Sequence, residues 1–269
     1  MRMLFRDERV AILRWKCSAD AGGSTEPMRR SWYVCSFTHS GAFVMHAGDQ
    51  SQIIDATRAM VIRPGQPFHM TRCNESRATG GAVAIRPDVF ENLPGRGDRC
   101  ITLYDVPASV FLLQHLLLRS AQQRNQDVAE TALQVVEELL YAQSKSTRPA
   151  TTETTVDVQT LLAAKLTEKV RLGEIARAVH RSPSHLCRTF HQETGLRMRH
   201  YLQRLRICAS VENVLDRRTN LSALAQTLGY SSHSHFGDAF RRELKVAPAE
   251  LRRIAALPSL TEMQKAIFR

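Results

Sequence analysis

The feature that most constrains this chain is a pattern that occurs twice. Leu172, Ile175, Ala176 and Val179 recur as Leu221, Leu224, Ala225 and Leu228, each 49 positions later, while Leu186 and Phe190 recur as Phe236 and Phe240, 50 positions later. The one-residue slip falls inside each copy, where HRS becomes GYSS and Gly229 can supply a left-handed turn at no steric cost. The first four residues of each copy have the 3-and-4 spacing of one helix face. Ser182-Pro183 then reads as a second helix start: the hydroxyl can accept from a free backbone N–H, and proline fills the first position, where a missing N–H costs nothing. Each copy is expected to be two short helices around a tight turn, at about 172–195 and 221–245. Ile175, Ala176, Leu186 and Phe190 should core the first, and Leu224, Ala225, Phe236 and Phe240 the second. Such a repeat implies an all-α domain, with a long connecting helix near Met198–Leu215 and a preceding helix from Val158 to about Lys169.

The second helix of the first copy keeps only Leu186 and Phe190 inside and turns Ser184, His185, Cys187 and Arg188 outward. That polar face suits the edges of bases in a major groove. Charge points the same way. The chain carries a net +11, distributed as 18 − 15 = +3 over residues 1–150 and 17 − 8 = +9 over residues 165–253. The excess sits with the repeat and implies a polyanionic partner. A membrane surface would need the charges on a helix with a broad free apolar face, and none is found outside helices needed for a core.

The segments IARAVHRSPSHLCRTFHQETG and LAQTLGYSSHSHFGDAFRRELKVAPAELR, with Gly229-Tyr230, Ser232, Ser234, Phe236, Phe240 and Pro248 in register, resemble the AraC/XylS family of transcription regulators over roughly residues 157–253. The resemblance implies two helix-turn-helix units on a rigid linker helix, each placing one helix in successive major grooves of promoter DNA, about 34 Å apart. Carried over by position, the base-reading candidates are Ser184, Cys187 and Arg188 in the first unit, and His233, Ser234 and Asp238 in the second. His185, Arg241 and Arg242 fall at backbone-contacting positions. Arg188 is the expected main reader, because a guanidinium can bond guanine bidentately. Asp238 departs from the family, where arginine is common; it would repel phosphate unless it accepts from a cytosine or pairs with a neighbouring arginine. Gly237 reads nothing. Lys245 stands where a glycine is usual and Met198 where a proline is frequent.

Residues 31–85 carry short β-type runs (SWYVCSFT, AFVMHA, QIID, AMVI, FHM, AVAI) between turn residues, as in a small antiparallel barrel or sandwich. DATRAMVIRPGQPFHM resembles the cupin-like sensor domains of bacterial regulators, which implies an apolar effector pocket. After a polar loop at Asn92–Arg99 come a strand-like ITLYD and two helical patterns, Pro107–Gln123 and Asp127–Gln143. Ser144–Thr155, rich in Ser, Thr and Pro, reads as a linker. The expected architecture is α+β: a cupin-like antiparallel β-barrel with two flanking helices over 1–143, a linker over 144–156, and an all-α domain of two helix-turn-helix units over 157–269.

His39, His46 and His69, with Cys35 and Cys73, raise a metal reading of the barrel, but lone histidines on alternating strands are mostly hydrogen-bonded structural residues, and no cofactor is expected. Six scattered cysteines fit reduced thiols. MRMLFRDERV is broken by charge before any leader-like segment forms, and Val106–Leu118 is too short to span a bilayer, so a cytoplasmic location is expected. No nucleophile triad, phosphate-cradling loop or dinucleotide fingerprint is present, and the chain is not expected to be an enzyme. The expectation is a ligand-responsive, sequence-specific regulator that binds double-stranded promoter DNA, a small-molecule effector and a second copy of itself, with RNA polymerase as a further partner if it activates. The alternative is a metal-dependent cupin enzyme, or a redox or metal sensor, tethered to a DNA-binding domain.

Overall fold

The computed structural model describes residues 1–17, 23–48, 50–72, 78–93, 101–122, 127–143 and 151–268. The N-terminal part is built on antiparallel strands. β1 (Arg2–Arg6), β2 (Val10–Lys16), β3 (Tyr33–Ser40), β6 (Arg58–Ile62), β8 (Thr79–Ile85) and β9 (Ile101–Asp105) form one sheet in the order β1-β2-β8-β3-β6-β9. β4 (Phe43–Ala47), β5 (Gln50–Ile54) and β7 (His69–Arg72) form a second, in the order β5-β4-β7. Among the described residues no ladder joins the sheets, so they stand as two open sheets and not as a closed barrel.

Alternation along the strands decides what each face meets. On the large sheet Val10, Ile12, Tyr33, Cys35, Phe37, Val83 and Ile85 face the helices. Ala11, Leu13, Ala82 and Ala84 face the other way, packed with Trp15, Trp32 and Val34. Because both faces are covered, the central strands β3, β6 and β8 are buried almost throughout, whereas the edge strands β1 and β9 are partly exposed. β1 and β2 were not among the expected strands; the arginines at positions 2, 6 and 14 interrupt the apolar alternation that marks the others.

After the short α1 (Pro87–Phe90), two helices follow β9: α2 (Ala108–Gln122) and α3 (Val128–Gln143), within a residue or two of the expected bounds. Their stripes, Val110, Leu113 and Leu117, and Val128, Ala132, Val135, Val136 and Leu139, are all buried. α2 is buried on every side from Val110 to Leu118, Gln114 and His115 included, as befits a helix apolar nearly all round. It lies between the large sheet and helices of the C-terminal part.

The C-terminal part is all helical: α4 (Glu153–Ala164), α5 (Leu172–Ala178), α6 (Pro183–Thr194), α7 (Met198–Leu215), α8 (Leu221–Thr227), α9 (His233–Leu244), α10 (Pro248–Ile254) and α11 (Leu260–Ile267). α4 starts at Glu153 because the Thr152 hydroxyl accepts from the Thr155 N–H, so the end of the expected linker is already helix; it stops at Ala164, short of Lys169. Residues 144–150, most of the Asn92–Arg99 loop, Cys73 and Cys100 lie outside the described residues. One hydrophobic core runs from Val10 in β2 through α2 and α7 to Met263 in α11. α7 packs on β3 and α2, and α11 on α2 and α3. No described helix is long and apolar enough to cross a membrane.

Candidate nucleic-acid interface

Each repeat folds by the same local chemistry. α5 closes with Arg181 N–H donating to Ala176 O and His180 in the left-handed region (φ 53°); α8 closes with Tyr230 N–H donating to Ala225 O and Gly229 in the same region (φ 78°). Both bonds are 2.9 Å and link residues five positions apart, a closure that uses helix-end carbonyls otherwise left without partners. The Ser182 hydroxyl then accepts from His185 N–H and the Ser232 hydroxyl from His235 N–H, starting α6 and α9. Gly195 ends α6 at φ 70° and Lys245 ends α9 at φ 65°. Lys245 therefore takes the left-handed place of a glycine without the glycine's freedom.

The repeat extends beyond the expected units. From α7, Arg206 donates to Leu166 O and Glu168 O in the turn before α5; from α10, Arg252 donates to Val214 O in the last turn of α7 and to Asp216 O and Thr219 O in the turn before α8. A guanidinium filling the open carbonyls of the preceding turn locks each two-helix unit onto the next helix. Nothing in the apolar spacing marks these arginines.

Of the expected core, Ile175, Ala176, Leu186, Phe190, Ala225, Phe236 and Phe240 are buried, and Leu224 is half-buried against them. On the outer faces Ser184, His185, Cys187 and Arg188 of α6 are exposed, as are His233, Ser234, Asp238, Arg241 and Arg242 of α9. Among the described residues Arg188, Arg241 and Asp238 enter no ion pair, so their charges face outward uncompensated. A Cβ at Gly237 would meet nothing within 4 Å, which leaves a gap in the face of α9 between Ser234 and Arg241. His235, absent from the sequence expectations, bonds Ser231 Oγ at 3.1 Å and meets the Tyr230 ring edge-on, a positioning role.

A family model described as a helix-turn-helix domain matches residues 175–254. The likeness is to the AraC-type helix-turn-helix domain, and it covers this C-terminal part of the chain. The bifunctional transcriptional activator/DNA repair enzyme AdaA of Bacillus subtilis is 26% identical over 91 residues, 34% of this chain and 43% of AdaA. The transcriptional activator RhaR of Escherichia coli is 28% identical over 112 residues, 41% of this chain and 40% of RhaR. The chain thus matches less than half the length of these relatives. Among solved structures, ToxT of Vibrio cholerae aligns over 93% of this chain and 99% of its own at 13% identity and a TM-score of 0.39. An AraC-type regulator from Chromobacterium violaceum aligns over 39% of this chain and 95% of its own, at 24% identity and a TM-score of 0.37.

Away from the helix-turn-helix units, a cavity of about 510 Å³ opens between the two sheets. Leu13, Trp15, Trp32, Met60, Phe68 and Met70 wall it, small Ala82 and Ala84 leave its floor open, and its charged lining residues, Arg6, Lys16 and Arg30, are all basic. The histidines of the metal reading do not meet here. His46 and His69 stack at 4.6 Å on the small sheet, and both ring nitrogens of His46 are bonded, to Ser51 and Thr71 hydroxyls. Burial and the neighbouring His69 lower the pKa of His46. His39 sits elsewhere, on β3 of the large sheet. Cys35 is buried and its thiol pushed far up by desolvation.

Proposed function

We propose that this chain is a ligand-responsive transcription regulator that reads promoter DNA with α6 and α9 in successive major grooves. The observation that carries the reading is the paired outward face. Two helices of the same build are held on the rigid α7, each with unpaired polar and charged side chains on the side away from the core. Arg188 would read a base, with Ser184 and Cys187 beside it. His233, Ser234 and Asp238 would contribute less discrimination, because of the gap at Gly237. His185, Arg241 and Arg242 would hold the phosphates.

In this reading the N-terminal region, about residues 1–143, is the sensor and residues 157–269 the reader. The cavity between the sheets supports an apolar or amphipathic effector, and its basic rim favours an anionic head group on an apolar body. Occupancy would shift the population of DNA-competent arrangements through the surface that α7 and α11 share with the sheet and α2. Homodimerisation, contact with RNA polymerase in the case of an activator, and residence in the cytoplasm belong to the same proposal.

The test is selection of duplexes from a random library by the full-length chain, followed by a salt titration on the winner. Enrichment of one motif with two half-sites about a helical turn apart, and affinity falling linearly in log–log with salt, is the expected result. Equal affinity for all duplexes, or none, would overturn it.

A further inference from the structure

Where the sheet, α2 and α7 meet, three side chains from distant parts of the sequence converge. His39 of β3, His115 of α2 and Glu212 of α7 each offer a ligand atom, and these atoms lie within 4.8 Å of one another. Both histidines are 3% exposed, whereas Glu212 is open to solvent. The hydrogen bonds around them fix which atoms are available. Gln114 Nε2 donates to Phe111 O, so Gln114 Oε1 must be the partner of His39 Nε2 at 2.9 Å, and that ring nitrogen carries the hydrogen. His39 Nδ1 then turns its other side to Glu212 Oε1, 3.4 Å away. A neutral ring would set a lone pair against a carboxylate oxygen there, an arrangement that calls for a positive centre between them. His115 lies against His39 with ring centroids 3.8 Å apart, and its Nε2 is buried without a hydrogen-bond partner. An orphan imidazole nitrogen beside a second imidazole and a carboxylate is a costly thing to bury, unless something binds it.

We propose that His39, His115 and Glu212 form a binding site for a zinc-class divalent cation that staples the N-terminal sheet and α2 to α7. Two neutral imidazoles and one carboxylate are a known ligand set for such an ion, with nitrogen at about 2.0–2.1 Å. The bond from His39 Nε2–H to an amide oxygen is the support that orients a ligating ring. Binding draws the ligands somewhat closer than 4.8 Å, a movement within reach of side-chain rotation. The fourth position faces a cleft of about 240 Å³ lined by Arg14, Arg119, Gln122 and Leu215 as well as His115 and Glu212. Arg14 now stands 3.8 Å from Glu212 Oε1; the cation takes over that carboxylate, and the two arginines favour an anion such as chloride or hydroxide as fourth ligand. The ligands come from both the N-terminal part and α7, so occupancy holds the two together. The site stands independently of the DNA-binding proposal.

The test uses the full chain, freed of metal by chelator, titrated with cobalt(II) and then with competing zinc, without DNA. One equivalent of cobalt with the intense visible absorption of four-coordinate geometry is expected, displaced by zinc, together with a rise in the thermal transition on zinc addition. Glu212→Gln, on an open surface of α7, keeps the fold and should weaken binding by about tenfold or more, as should His115→Gln, checked for folding by circular dichroism. A double His46→Gln, His69→Gln variant should bind unchanged. The proposal is overturned by no cobalt absorption, by binding that survives Glu212→Gln, or by binding lost only in the His46→Gln, His69→Gln variant. The pair His39 and Glu212 then shares a proton and nothing more.

Discussion

Tyr201 of α7 donates its hydroxyl hydrogen to the carboxylate of Asp55, which follows β5 and lies 146 positions earlier in the chain. The same hydroxyl accepts from Gln159 Nε2 of α4 at 2.8 Å, and the other oxygen of Asp55 accepts from the backbone and side chain of Thr57. Both residues are 1% exposed, so a buried carboxylate of the N-terminal part finds its only C-terminal donor of the described hydrogen bonds in one tyrosine. Tyr201→Phe removes that donor and strands the Gln159 amide. The expected cost is about 1–3 kcal/mol, read as a lower urea midpoint of the full chain. An unchanged midpoint would show that this pair does not help to join the two regions.

Arg188 and Arg241 should separate under substitution. Arg188→Ala is expected to cost about 1–3 kcal/mol on the selected duplex and to relax preference at one base position, whereas Arg241→Ala should weaken all duplexes alike and lower the salt slope by about 1. Anisotropy titrations against the selected motif and its single-base variants make the comparison. Equal losses across every variant for Arg188→Ala would move that residue to the phosphates.

Lys245 holds a left-handed conformation at the end of α9 that costs a side-chain-bearing residue about 1 kcal/mol. Its amine donates to Arg242 O at 3.1 Å on an exposed surface, a bond of small net worth. Lys245→Gly should therefore raise the melting temperature of the full chain. A fall would mean that the lysine side chain contributes more than its backbone costs.

How much of this was legible in advance depended on how local the signals were. The helix-turn-helix units could be read because their caps, turns and apolar spacing lie within 25 residues: Ser182, Pro183 and Phe190 specify α6 with little help from elsewhere. β1 and β2 could not, since Arg2, Arg6 and Arg14 break their alternation, and only the pairing of β2 with β8 and of β1 with β2 makes strands of them. Trp15 and the cavity it walls were hidden for that reason. His115 was hidden differently. In the run LLQHLLL it is one polar residue on a buried helix, and its importance comes from β3 and α7 bringing His39 and Glu212 beside it.

The chain has two tryptophans, Trp15 and Trp32, and both line the cavity between the sheets. Intrinsic tryptophan emission is thus a direct reporter of that space. A metabolite that raises the thermal transition of the full chain by binding there should shift or quench the emission. Ala84→Leu, which fills the floor, should abolish both responses. A stabilising small molecule that leaves the emission untouched would place its site elsewhere.

Alkali should unfold this protein by a nameable route. Burial pushes the Cys208 thiol up to about 12 and the Tyr230 hydroxyl up to about 12. In the unfolded chain these groups ionise near about 8.5 and 10. With folded values raised, their contribution is complete below about pH 8 and is lost as pH climbs toward 12, because the unfolded chain releases protons that the folded chain retains. Urea midpoints from pH 8 to 11 should fall, and Cys208→Ala should make the fall shallower. A flat profile would contradict the assignment.

α7 follows the first helix-turn-helix unit and precedes the second, and Arg206 and the Arg252 clamp tie it to both. Its 18 residues therefore act as a ruler of about 27 Å whose graduations are angular as well as linear. One inserted residue would turn the second unit by about 100° against the first while lengthening the helix by only about 1.5 Å. The length of α7 is thereby a determinant of which spacing and phase of binding site the chain can accept, although no side chain of that helix need touch a base.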